Sequence, residues 1–384
     1  MDMDLKEVFN WSDLNLKEEL LRGIYSYGFE IPSPIQKKGI MPIISKKDVI
    51  AQSQSGTGKT GAFTISTLQI INENLNETQA MIISPTRELS IQIHKVITSI
   101  GEFMDKLTCN LLIGGQSMDE DIKILEKHPH VIVGTPGRIH DLIRRKKINT
   151  KTVKLLVLDE ADEMLSVGFK EQVYNIFQYL NHEIQVVLFS ATLPNEIQSL
   201  TEKFMRDPVK ILVKTESITL EGILQYFVAL ENDNQKYETL KDIFERISLS
   251  QCIIYCNSIK RVSDLCDALQ KDNFPVGCIH SNMEKEERNN AYMEFANGTT
   301  RVLISTNLTA RGIDVQQVST VINFDLPKDI HTYIHRIGRS GRWGRKGMGI
   351  NFITRRDIKQ MREIEKYYDT QITELPASFV GEKA

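Results

Sequence analysis

The stretch Asp48-Val-Ile-Ala-Gln-Ser53-Gln-Ser-Gly-Thr-Gly-Lys59-Thr60 decides how the rest of the chain is read. A short apolar run ends in a glycine-containing turn, and Lys59 opens a helix-period segment that runs to Asn74. Strand, turn and helix in that order are the context a phosphate-binding loop requires. Gly56 and Gly58 let the backbone approach an anion closely, and the N–H groups at the helix start face it. Lys59 is placed to reach the β- and γ-phosphates of a nucleotide, and Thr60 to put its hydroxyl on Mg²⁺. Ser53 stands where this pattern has its first glycine, which makes the turn less permissive.

The same alternation extends in both directions from this turn. Candidate strands of the first half are Asp48–Ser53, Gln79–Ser84, Cys109–Ile113, His130–Gly134, Lys154–Leu158 and Gln185–Phe189. Those of the second half are Leu224–Leu230, Gln251–Cys256, Val276–Ile279, Arg301–Ser305, Val318–Phe324 and Gly347–Ile353. Helical stretches such as Lys59–Asn74, Arg87–Met104, Pro194–Met205, Ser258–Lys271 and Glu284–Asn297 lie between them. Near-continuous apolar strands, each followed by a helix, predict an α/β fold with parallel sheets covered on both faces. Strand-like Val209–Val213 gives way to polar residues, so the chain is expected to form a first domain over 1–214, a linker over 215–222 and a second domain over 223–384.

Composition agrees with this reading. The 384 residues give a prior of two or three domains at ~150 residues each. Apolar residues are 41% and charged residues 25%, the balance of an ordinary globular protein. The longest apolar runs, such as Lys154-Leu-Leu-Val-Leu158, fall far short of the ~18 residues that span a bilayer. The acidic start Met1-Asp-Met-Asp predicts no secretory signal. Five scattered cysteines predict reduced thiols, and the eight histidines show no metal spacing. A net charge of −3 leaves any nucleic-acid site to local patches. Arg144-Arg-Lys-Lys147 reads as a solvated helix end rather than such a patch.

A second constellation is Leu155-Leu-Val-Leu-Asp159-Glu160-Ala-Asp162. A carboxylate at the C-terminal end of a parallel strand sits on the edge where ligands bind. Asp159 is placed to hold Mg²⁺ through water, and Glu160 to orient or deprotonate an attacking water. Together with Lys59 and Thr60 they describe a Mg²⁺-dependent nucleoside triphosphatase.

The string Asp-Glu-Ala-Asp at 159–162 resembles the DEAD-box RNA helicases, and the other motifs of that family follow in order. The resemblance covers Trp11 to the C-terminus and implies two RecA-like domains. It implies that Phe29 stacks on adenine and Gln36 reads its edge, with Trp11 as the upstream aromatic. Ser55, Gly56, Thr57, Gly58, Lys59 and Thr60 would hold the phosphates, and Asp314 the ribose. Arg339 and Arg342, in His335-Arg-Ile-Gly-Arg-Ser-Gly-Arg342, would reach the γ-phosphate. Ser190, Thr192, Asp162 and His335 would couple hydrolysis to domain closure. Pro85, Thr86, Arg87, Gly115, Gln116, Thr135, Gly137, Arg138, Asn257, Arg288 and Thr306 would hold an RNA backbone.

Longer strings are similar to the translation-initiation and exon-junction branches of that family, Leu20-Leu-Arg-Gly-Ile-Tyr25 and Leu158–Leu165 among them. The partners so implied are RNA with little sequence preference and a helical-repeat scaffold protein, for a monomer of the cytoplasm or nucleus, with ATP and Mg²⁺ as cofactors. Four second-domain residues depart from the pattern: Asn307 for Asp, Ser281 and Asn282 in His-Gly-Asp, and Lys285 for Gln. Two other readings stand beside a helicase: an ATP-gated RNA clamp that unwinds little, and a triphosphatase for another nucleotide. The second lacks an Asn-Lys-x-Asp guanine motif.

Overall fold

In the first half, strands β1 (Val49–Gln52), β2 (Ala80–Ile83), β3 (Cys109–Leu112), β4 (Val131–Gly134), β5 (Leu155–Leu158), β6 (Gln185–Ser190) and β7 (Val209–Leu212) form one parallel sheet, ordered β3-β4-β2-β5-β6-β1-β7. In the second half, β8 (Ile223–Ala229), β9 (Cys252–Tyr255), β10 (Val276–Ile279), β11 (Val302–Ser305), β12 (Thr320–Asn323), β13 (Gly347–Ile353) and β14 (Thr373–Glu374) form another, ordered β10-β11-β9-β12-β13-β8-β14. Counted from its own first strand, the second sheet has the order of the first. These features belong to a computed structural model that describes residues 8–53, 57–166, 168–193, 195–212, 223–246, 251–309, 318–340 and 347–376. The chain divides into two compact units, Met1–Val213 and Lys214–Ala384.

Both faces of each sheet are buried, which is why the strands read as unbroken apolar runs. In the first unit Val49, Ala51, Ile82 and Val157 pack on one side with the Lys59–Ile70 and Arg87–Ile100 helices. Ile50, Met81, Ile83, Leu156 and Leu158 pack on the other with the Pro136–Arg144 and Lys170–Tyr179 helices. In the second unit Ile253, Leu303 and Val321 take one face, and Ile254, Ile304 and Ile322 the other. Each buried Val, Leu, Ile or Met among them contributes roughly 1.5–3 kcal/mol on leaving water. The period of two therefore fixes the register of every strand.

The α/β expectation is met, and each candidate strand lies within two residues of an observed one. The two-residue edge strand β14 was not expected; it pairs with β8 at Thr373–Tyr226 and Glu374–Phe227. The first of the expected helices stops at Ile70, not Asn74, whereas the one expected over Ser258–Lys271 ends at Lys271. The linker expected at 215–222 lies outside the described residues.

Sheet order does the positioning. Parallel strands bring all their C-terminal ends to one edge, and β5, β6 and β1 are neighbours there. Gln52 pairs with Ser190, so the turns after β1, β5 and β6 form one cluster. On the same edge β3, β4 and β2 are neighbours, with Gly134 beside both Leu112 and Ile83. Their turns form a second cluster.

Candidate functional site

The first cluster is built around Lys59. After β1, Ser53 N–H donates to the Ser190 carbonyl at 3.1 Å. The Ser53 and Thr57 hydroxyls are hydrogen-bonded at 2.5 Å, so a serine at the first-glycine position is bonded across the turn. Gly58 has φ +97°, a left-handed conformation that glycine adopts without a Cβ penalty, and it N-caps the Lys59–Ile70 helix. The buried Lys59 Nζ lies 3.2 Å from Glu160 Oε1. Thr60 follows in the first helical turn. Ser55 and Gly56 lie outside the described residues.

Gln36 and Phe29 lie against this helix. The Ser33 N–H donates to Gln36 Oε1 at 2.7 Å, and Gln36 Nε2 donates to the Gly58 carbonyl at 3.2 Å. The side chain expected to read a base edge thus also caps the Pro34–Ile44 helix and grips the phosphate-loop turn. Trp11 Nε1 donates to the Phe29 carbonyl at 3.0 Å, and the two rings stack at 6.2 Å. Gly61, absent from the sequence expectations, permits this packing. A Cβ there would lie 2.6 Å from Gln36 Nε2 and 2.8 Å from Phe29 Cε2.

The carboxylates complete the cluster. The Asp159 N–H donates to the Ile83 carbonyl at 3.0 Å, continuing the β5–β2 pairing one residue past the strand. Glu160 has φ +51°, a conformation a non-glycine residue holds only when its surroundings impose it. Its N–H donates to Asp159 Oδ1 at 3.0 Å. Burial and then the Glu160 charge push the Asp159 carboxyl well above its ordinary pKa, against the opposing pull of Lys59. Asp162 Oδ2 accepts from both the N–H and the hydroxyl of Thr192, at 3.2 and 2.7 Å. Ser190 Oγ accepts from Asp162 N–H and donates to the Thr192 carbonyl, closing a triangle between the ends of β5 and β6.

The second cluster is a cleft of about 400 Å³ in which Pro85, Arg87, Thr135, Gly137 and Arg138 meet Asp141 and Phe169. Thr86 caps the Arg87–Ile100 helix through the Leu89 N–H. The Arg87 guanidinium lies over Gly114 and Gly115; a Cβ on Gly115, which has φ +85°, would lie 2.8 Å from Arg87 Nη1. Arg138 donates to the Gln116 carbonyl at 2.6 Å and pairs with Asp121 at 3.1 Å. Asp121, Asp141 and Phe169 were not expected, because none lies in a recognisable motif. Asp121 is 1% exposed, and burial raises its pKa against the pull of Arg138.

In the second unit, Asn257 follows β9 with its side chain engaged at both ends: Nδ2 donates to the Leu326 carbonyl, and Oδ1 accepts from Arg336. Thr306 follows β11, and Arg288 lies on the Lys285–Ala296 helix. His335 lies in the last turn of the Ile330–Ile337 helix, which Asp329 caps. Arg339 Nε donates to the His335 carbonyl at 3.2 Å. Asp314 and Arg342 lie outside the described residues.

Comparison with known proteins places this geometry. Residues 33–200 match the family model for DEAD/DEAH box helicases, and residues 235–344 the model for the helicase conserved C-terminal domain. Among similar proteins are those named ATP-dependent RNA helicase eIF4A from Chaetomium globosum, 54% identical over 96% of this chain and 93% of that protein, and from Phaeosphaeria nodorum, 55% identical over 94% and 91%. Among solved structures, S. cerevisiae Dbp5 bound to RNA and ADP BeF3 superposes with a TM-score of 0.89, at 35% identity over 96% of this chain and 95% of that one. Mss116p bound to ssRNA and AMP-PNP gives 0.86, at 29% identity over 99% and 82%.

Proposed function

The chain belongs to the DEAD-box helicases, and we propose on that footing that its two RecA-like units work as an ATP-dependent RNA helicase of the initiation-factor-4A type, coupling ATP hydrolysis to the capture and release of RNA. The observation that carries the reading is the cluster at the ends of β1, β5 and β6, where Lys59 and Glu160 are paired and Asp162 is bonded to Thr192.

In the first unit, Lys59 and the N–H groups at the start of its helix take the triphosphate, while Gln36 and Phe29 take adenine. A Gln side chain carries both a donor and an acceptor, as adenine's edge requires. Gln36 also bonds to Gly58, so base and phosphate recognition share one side chain.

Thr60 and Asp159 are the residues that would hold Mg²⁺. They fit it: Asp159, Glu160 and Asp162 are buried together at the end of β5, with Lys59 paired to Glu160, a set of oxygen donors that suits a hard divalent cation. When bound, a divalent ion neutralises charge on the β- and γ-phosphates. Glu160, relieved of Lys59 by the γ-phosphate, becomes the acceptor that orients the attacking water and takes its proton. Arg339, with Arg342, stabilises charge on the transferred phosphoryl group, an effect worth ~10³–10⁵ in rate.

RNA is held in the first unit by the cleft that Arg87, Thr135 and Arg138 line. Backbone N–H groups, hydroxyls and guanidinium groups meet phosphates and 2′-OH groups there with little sequence preference. The residues assigned to ATP are divided between 1–214 and 223–384, so turnover needs both units. The protein partner expected is a helical-repeat scaffold of the initiation or exon-junction machinery. The test is unwinding of a short RNA duplex with ATP, against ADP and against Lys59→Ala. Retention on single-stranded RNA without unwinding would instead favour the clamp.

A further inference from the structure

The second unit holds a buried guanidinium that the ATP and RNA assignments leave unused. Arg336 has no exposed surface and lies on the Ile330–Ile337 helix, shortly before Arg339. All five of its N–H donors have acceptors. Nε and Nη2 donate to Asn307 Oδ1 at 2.8 and 2.6 Å, and Nη2 also to Asn257 Oδ1 at 2.8 Å. Nη1 donates to Asn323 Oδ1 at 3.1 Å and to the Asp325 carbonyl at 2.7 Å. Not one of these acceptors is a carboxylate oxygen.

The network continues under the helix. Asn323 Nδ2 donates to Asn351 Oδ1 at 2.8 Å, the residue opposite it in the β12–β13 register. Asn351 Nδ2 donates to the Tyr333 hydroxyl at 3.3 Å, and that hydroxyl donates to Gln225 Oε1 at 2.8 Å. Tyr333 and Arg336 are one turn apart on the same helix. A polar network satisfied at every member holds one arrangement and penalises the others. Asn307 ties that helix to the residues following β11, on the sequence path to Asp314. Burial opposes the charge of Arg336, and its bonds, charge-assisted on the donor side, offset that cost.

We propose that Asn307 is a positioning residue for ATP hydrolysis: its amide oxygen, bonded twice to Arg336, sets the helix that presents Arg339. The proposal rests on the assignment of Arg339 to the γ-phosphate. It also gives the departure at Asn307 a consequence, since an aspartate there would set a carboxylate directly against the guanidinium, which Asp325 meets through its carbonyl.

The test is RNA-dependent ATPase kinetics on the full chain, comparing Asn307→Leu, Asn307→Asp and Arg339→Ala, with thermal melts of each. Leucine removes the oxygen at similar size and strands two N–H groups of Arg336. Its kcat should fall by about tenfold or more, with KM for ATP and nucleotide-free RNA affinity within about twofold. Aspartate keeps the oxygen, so kcat should equal or exceed that of wild type and the melting temperature should rise. Wild-type kcat in Asn307→Leu beside a slow Arg339→Ala overturns the positioning role alone. Wild-type kcat in Arg339→Ala removes the arginine assignment and the proposal with it. Should Asn307→Leu fail to fold, Asn307→Asp decides: an unchanged melting temperature or a lower kcat overturns the proposal.

Discussion

Lys59 Nζ and Glu160 Oε1 lie 3.2 Å apart, each side chain 5% exposed, so the cation after β1 and the carboxylate after β5 hold one another. On the roles proposed above, both residues would act on a nucleotide, and neither could do so while fully committed to the other. An incoming γ-phosphate would compete with Glu160 for Lys59 and free the carboxylate to act on water. On that proposal the pair is the resting form of the hydrolytic site.

Lys59→Ala should abolish ATP turnover and leave nucleotide-free RNA binding intact. It also strands a buried carboxylate, a loss of the kind that costs about 3–5 kcal/mol, so its melting temperature should fall. Steady-state ATPase assays and thermal melts check both; turnover within a few fold of wild type would remove the phosphate-loop assignment.

Gly61→Ala should act on adenine recognition without touching a phosphate ligand. The new Cβ meets Gln36 Nε2 at 2.6 Å and Phe29 Cε2 at 2.8 Å, so both must shift. ATP affinity should fall by about tenfold, the scale of losing one or two hydrogen bonds. Preference for ATP over GTP should narrow. Titration with both nucleotides measures this, and an unchanged ATP/GTP ratio would count against Gln36 as the reader of the base.

Arg339→Ala should lower kcat by about 10³-fold while changing ATP affinity little, because its charge is needed where negative charge develops in the transition state. Single-turnover hydrolysis at saturating ATP is the measurement. A loss confined to RNA affinity would make Arg339 part of a basic loop instead.

Asp121→Ala should weaken RNA binding from a distance. It leaves the Arg138 guanidinium without the carboxylate now 3.1 Å away, though still bonded to the Gln116 carbonyl. Affinity for single-stranded RNA should fall, with ATP affinity in the absence of RNA unchanged. Equal RNA affinity in mutant and wild type would show that Arg138 needs no anchor.

The fold and the cluster around Lys59 were legible because their signals are local. A strand, a glycine turn and Lys59 stand within one short stretch, and Asp159 directly follows β5. What stayed hidden depends on residues far apart in sequence. Gly61 matters only because Phe29 and Gln36 fold onto it. Arg336 reads as one more basic residue until Asn257, Asn307 and Asn323 converge on it, and Asn323 meets Asn351 only through the β12–β13 register. For Asn257, expected as an RNA contact, nothing local signals that its side chain is also bonded within the unit at both ends. Edge strand β14 has two residues, too few for any periodicity.

The central claim is that hydrolysis at Glu160 releases what ATP binding captures. Glu160→Gln keeps the side chain's reach and removes its capacity to take a proton, while Lys59, Thr60 and Asp159 remain to bind ATP and Mg²⁺. The decisive measurement is the dissociation constant of this variant for single-stranded RNA with ATP, with ADP and with no nucleotide. Tight binding with ATP alone is predicted, with RNA raising ATP affinity by the same factor that ATP raises RNA affinity, as linkage requires. Equal RNA affinity in all three states would contradict the account.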